Sequence, residues 1–145
     1  MRYNRRAWLT LTLAFLWLLP LREGRTQELP EKQRKALGKH ATRVEAKAKT
    51  LGLVLDYDEP PKPIKITRPE YPMEAFRKGR DGKVLLMLVI DASGHVAEAE
   101  ALEATYGFRE AAVACVRQWE FRAATKGGQA VGTVVTAPVA FNISQ

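Results

Sequence analysis

Residues 83–91 read KVLLMLVID, the most apolar stretch of the chain beyond its amino-terminal leader. Successive side chains of a strand point to opposite faces, so a half-covered strand alternates apolar with polar residues. Here Val84, Leu86, Leu88 and Ile90 line one face, and Leu85, Met87 and Val89 line the other. A strand apolar on both faces belongs at the centre of a sheet, with a cover on each side. Helices further along the chain can supply one cover. Three covers stand open for the second face. A second copy of the chain would give a homodimer, which suits a small domain with a marginal core. An upstream helix could fold back. An external partner could dock on the apolar patch.

Working outward from that strand, the carboxy-terminal region 69–145 reads as helix–strand–strand–helix–strand. Pro72 opens a short helix, PMEAFRK, and Gly79 closes it. DASG at 91–94 is a tight turn, in which Asp91 supplies turn chemistry and Gly94 can take positive φ. HVAEAEALEA returns as a second strand, with Val96, Glu98, Glu100 and Leu102 alternating against Ala97, Ala99 and Ala101. FREAAVACVRQWEF, 108–121, reads as a helix burying Phe108, Ala112, Cys115, Val116 and Trp119. KGGQ is a turn. AVGTVVTAPVAFNI, 130–143, is the last strand, with Val131, Val135, Ala137, Val139, Phe141 and Ile143 on one face. Pro138 cannot donate to a ladder and places that strand at an edge. The expected fold is α+β: a two-layer domain with a three-stranded antiparallel sheet, ordered second strand, first strand, last strand, and two helices on one face.

Upstream lie three further regions. Residues 1–27 form a leader. Arg2, Arg5 and Arg6 precede the apolar AWLTLTLAFLWLLPL. As a helix that run spans roughly 22 Å, short of a hydrocarbon core of about 30 Å. It reads as a signal peptide or as a short signal-anchor left in the inner membrane, and either places the folded part in the periplasm. Residues 28–52 read as one basic amphipathic helix with the stripe Leu37, Ala41, Val44, Ala48, Leu51, opened near Pro30 and ended by Gly52. His40 on this helix reads as solvated. Residues 53–68, with Pro60, Pro61 and Pro63, read as a proline-rich linker in which IKIT is short strand or extended chain. The formal charge is +7, of which the leader holds five arginines against one glutamate, while the region from Pro69 onward carries eight cationic and nine acidic residues. A basic folded face is the footprint of a nucleic-acid binder, and its lack here excludes that class.

The strings PEYPMEAFRKGRDGKVLLMLVIDASGHV and REAAVACVRQWEFRAATKGGQAVGTVVTAPVAFNI resemble the TonB carboxy-terminal domain family. Tyr71-Pro72, Ala75, Gly82-Lys83-Val84, Ile90-Asp91, Gly94, Val96, Ala111-Ala112, Trp119, Phe121, Gly128, Pro138-Val139 and Phe141 carry the resemblance through their order and spacing. It implies a periplasmic energy-transducer domain that grips an outer-membrane receptor, or another envelope protein, by pairing an extended peptide with the edge of its last strand. An exposed edge offers unpaired N–H and C=O groups, and an extended peptide can complete them. By alignment the partner-binding residues are Thr133, Val134, Val135, Thr136 and Ala137, with Arg68, Pro69, Glu70 and Tyr71.

No catalytic constellation competes with a binding role, and no metal site or cofactor is expected. His95 sits at a turn without organised partners, and two histidines do not build a zinc site. Glu98 and Glu100 read as solvent-facing acids. The lone Cys115 reads as a buried small hydrophobe. The alternative function is a dimeric envelope scaffold whose helix lays Lys35, Lys39, Arg43 and Lys47 on an anionic membrane or cell-wall surface.

Overall fold

The computed structural model describes residues 28–143, so the leader reading lies outside the described residues. In chain order the elements are α1 (Glu31–Leu37), a 3₁₀ turn (Gly38–His40), α2 (Ala41–Leu51), β1 (Lys62–Lys65), α3 (Met73–Arg77), β2 (Gly82–Ile90), β3 (Val96–Ala104), α4 (Arg109–Val116), β4 (Glu120–Arg122), β5 (Ala124–Lys126), β6 (Gln129–Val131) and β7 (Thr133–Phe141). The central sheet is antiparallel and ordered β3-β2-β7, as the apolar and proline patterns require.

The two apolar faces of β2 each have a cover. On the first face Val84, Leu86, Leu88 and Ile90 pack with Phe108, Ala112 and Val116 of the α4 region, Ala75 of α3, and Val139 and Phe141 of β7. Tyr71 completes this end, with its ring 5.7 Å from Phe108 and 5.9 Å from Phe141, both edge-on. On the second face Met87, Val89 and Val134 pack with Ala41, Val44 and Ala48 of α2, and with Leu29 and Leu55. The upstream helix is therefore the cover, and it adds a third layer to the two-layer domain.

The upstream helix is not continuous. Gly38 takes φ 50° and ψ −120°, a combination that is essentially glycine's own, and it splits the helix into α1 and α2. Alanine-rich spacing hid the break, because the apolar stripe runs through it. Leu51, assigned to that stripe, is exposed, since Gly52 turns the chain away in a left-handed cap.

Two β-bulges let β3 serve both faces. The β2–β3 register shifts between Leu85 and Leu86 and again between Val89 and Ile90. Val96, Ala99 and Ala101 consequently meet the first-face core. Glu98 and Glu100 meet α2, pairing with Lys47 and Arg43, and Glu103 pairs with Lys39 of the 3₁₀ turn. Glu98 and Glu100 remain largely solvent-exposed, as expected, and carry ion pairs to α2 in addition. His40 is not solvated: its Nε2 lies 2.9 Å from Glu103 Oε1.

The carboxy-terminal half departs from expectation in two places. α4 ends at Val116, and Glu120–Arg122 is strand β4, paired antiparallel with β1. Trp119 and Phe121 are two apart and share a side, the strand period that the helical reading overlooked. The Phe121 amide donates to the Gly94 carbonyl at 2.8 Å, and only a glycine fits there: a Cβ on Gly94 would lie 1.8 Å from the Phe121 carbonyl oxygen. The stretch 130–143 is not one strand. Gly132 divides it into β6, which forms a hairpin with β5, and β7, which joins the central sheet.

Candidate functional site

β7 pairs along its whole length with β2, from Phe141 opposite Gly82 to Thr133 opposite Ile90. No strand pairs with its other side among the described residues. At one end that side is already engaged. The Val54 amide donates to the Gly132 carbonyl at 3.0 Å, and the buried Thr133 hydroxyl donates to the Val54 carbonyl at 2.5 Å. Thr133 therefore anchors the chain coming down from α2. At the other end Pro138 is exposed and carries no amide hydrogen. Between these stops run Val134, Val135, Thr136 and Ala137.

These four residues form the floor of a cleft of about 840 Å³. Its walls have different origins. Val135 and Ala137 point to the first face, where Trp119, Phe121 and Ile66 stand beside them. Val134 points to the second face, with Leu29 and Leu37. The proline-rich segment contributes Tyr57, Pro60, Pro61 and Pro63 to the lining. That segment is held in place: Asp58 and Thr125 share a backbone hydrogen bond of 2.8 Å, Gln33 donates to the Tyr57 hydroxyl at 3.2 Å, and β1 carries Pro63 against Phe121.

The second predicted group lies elsewhere. Arg68, Glu70 and Tyr71 line a separate cavity of about 370 Å³ against Ala111, Ala114 and Cys115 on α4. Pro69 is half-buried beside them. The chain enters this region through Thr67, whose carbonyl accepts from Trp119 Nε1 at 3.1 Å and from the Cys115 thiol at 3.2 Å. The Tyr71 hydroxyl donates to the Arg80 carbonyl, and partial burial together with Asp81 pushes its phenol up. The structure thus places 134–137 and 68–71 in two sites, not one. Leu29, Leu37, Tyr57 and Trp119 were missed as site residues. Leu37 and Trp119 had been assigned to the helix stripe and the core, while Leu29 and Tyr57 fell in segments read as the helix start and the linker, with no periodicity to single them out.

Of the cations offered for an anionic surface, Lys39, Arg43 and Lys47 face the acids of β3, and Lys35 lies exposed on α1. Hydrogen bonds from Lys39 and His40, with the Lys39 charge, lower the Glu103 carboxyl to about 2. Asp91 sits below the usual carboxylate range because it accepts from the Ser93 hydroxyl and from the Ser93 and His95 amides. Among the described residues no cluster could hold a metal ion, and no helix is long and apolar enough to cross a membrane.

Comparison with known proteins bears on the same region. The family described as the Gram-negative bacterial TonB protein C-terminal matches residues 67–143. Protein TonB of Xanthomonas campestris pv. campestris is 35% identical over 78 residues, 52% of this chain and 35% of that protein. Protein tonB2 of Pseudomonas aeruginosa is 35% identical over 78 residues, 52% of this chain and 29% of that protein. The chain therefore matches about a third of the length of these relatives. The solution structure of the Pseudomonas aeruginosa TonB carboxy-terminal domain superposes with a TM-score of 0.51 at 24% identity, covering 61% of this chain and 91% of that one, which is a likeness of fold.

Proposed function

The chain belongs to the TonB carboxy-terminal domain family, whose members are not enzymes, and from that premise we propose that it is a periplasmic binding module that captures an extended peptide as an added strand on β7. The peptide is a segment of an outer-membrane receptor or another envelope protein, and its capture contributes to energised transport. One observation carries the reading: the side of Val134–Ala137 away from β2 has no strand partner among the described residues and forms the floor of a cleft. An unpaired edge satisfies its amides and carbonyls through a visiting extended backbone. The reading rests on 134–137 and not on Arg68–Tyr71, which line the other cavity.

The test uses labelled peptides from the periplasmic ends of receptors of the same cell. The Gly132 carbonyl faces the outer side, so by strand alternation the Thr136 amide does too, and Thr136→Pro should lower affinity at least tenfold while far-UV dichroism stays native. Two versions of the best peptide, each N-methylated on alternate amides, separate backbone pairing from side-chain contact. One version should bind and the other should not. Equal binding by both, with Thr136→Pro still folded and still binding, would remove strand addition.

A further inference from the structure

We infer that the amino-terminal arm, α1 with the turn after it, is a specificity-determining wall of the β7 cleft, in which Leu37 reads the side chains that a captured strand turns toward the second face. This rests on strand addition and deepens it, because it names the chemistry of the captured segment. A strand laid beside β7 continues its alternation. One set of its side chains falls on the first face, beside Val135, Ala137, Trp119 and Phe121, all of which pack on the domain's own core. The other set falls on the second face, next to Val134. On a sheet bare on that side, this set would project into water and tolerate polar residues. Here Leu29 and Leu37 stand over Val134.

The arm reaches that position by two features of this chain. Gly38 bends the chain between α1 and α2, which swings Leu37 to the cleft rather than continuing along α2. The ion pairs of α2 go to β3, at the opposite border of the sheet from β7. The arm is thus held without using the β7 edge, and the wall stands while the floor remains open. The occupant that fits is an extended segment apolar on both alternate sets over about four residues, one for each of Val134 to Ala137.

The experiment measures full-chain binding of a fluorescent peptide with successive central valines in a polar, soluble frame. Two variants replace one alternate pair of valines, or the other, by serine. The wild-type protein should lose about tenfold in affinity for either variant, the loss of two partly buried valine side chains. Leu37→Ser should shrink the penalty for one pair to about twofold or less and leave the other penalty unchanged. Leu37→Met should restore both penalties, and Leu51→Ser, on an exposed residue at the end of α2, should alter neither. If Leu37→Ser keeps both penalties, or if the wild-type protein binds all three peptides alike, the wall is not a reader and the inference falls while strand addition stands. If the valine peptide binds equally after N-methylation of either alternate set of amides, or no peptide binds at all, strand addition falls and takes this inference with it.

Discussion

Single residues decide where the chain turns and which acids stay charged. Gly94 combines φ 91° with a position where any Cβ would lie only 1.8 Å from the Phe121 carbonyl oxygen. Gly94→Ala should cost about 3 kcal/mol from backbone strain and the displaced β4 contact, read as a lower denaturant midpoint. Glu103 shows the electrostatic counterpart. Its carboxyl drops from an ordinary 4.5 to about 2 because Lys39 and His40 donate to it and Lys39 adds its charge. A folded value below the unfolded one gives stability that is present above the unfolded value and lost as pH falls through the folded one. The arm should therefore loosen between about pH 4.5 and 2. A carboxyl-detected titration should place the Glu103 midpoint near 2, and Lys39→Ala should move it upward. A midpoint at the ordinary value would mean that the contact with the arm does not persist in solution.

Elements were legible where a period was uninterrupted. The apolar alternation of β2 on both faces, the half-polar β3 and Pro138 on β7 together dictated the strand order, and each constraint is a property of backbone geometry. Legibility failed where two periods coincide. Val116 and Trp119 are three apart, a helical spacing, yet Trp119 and Phe121 are two apart, a strand spacing, and the structure follows the second. Bulges in β3 were equally invisible, because a register shift needs the partner strand to define it. The cleft was half legible. Its floor followed from the edge position of β7, whereas its walls come from residues distant in sequence that the fold brings over Val134 and Val135. At this scale α2 is an independent layer: it buries Ala41, Val44 and Ala48, while the first-face core is complete without it. Ala48 is 0% exposed, so Ala48→Arg should lift α2 from the sheet. Hydrogen exchange should then show α2 amides losing protection by roughly a hundredfold while β2 amides facing β7 keep most of theirs. Equal loss in both would make the three layers one cooperative unit.

At the scale of the molecule, the open edge is a hazard as well as a site, because a strand border can pair with another copy of itself. Pro138 interrupts that border directly after Ala137, where it is exposed. Pro138→Val should lengthen the usable edge and raise self-association, seen by sedimentation velocity as a larger species growing with concentration. A variant as monodisperse as the wild-type protein would show that the cleft walls alone exclude a second copy. The route of the chain has a mechanical corollary. Residue 28 leads directly into the helical arm, and the arm lies on the sheet before the backbone reaches the Val54–Thr133 clasp. Traction applied at that end therefore meets the buried Leu29 first, then the half-buried Leu37 of α1, then the three small side chains of α2, and only afterwards the interlocked strands. If β7 holds a strand as proposed, the arm is a spring in series with that grip: it yields by peeling, one contact after another, and carries Leu37 off the segment before the hold on that segment's backbone is loaded.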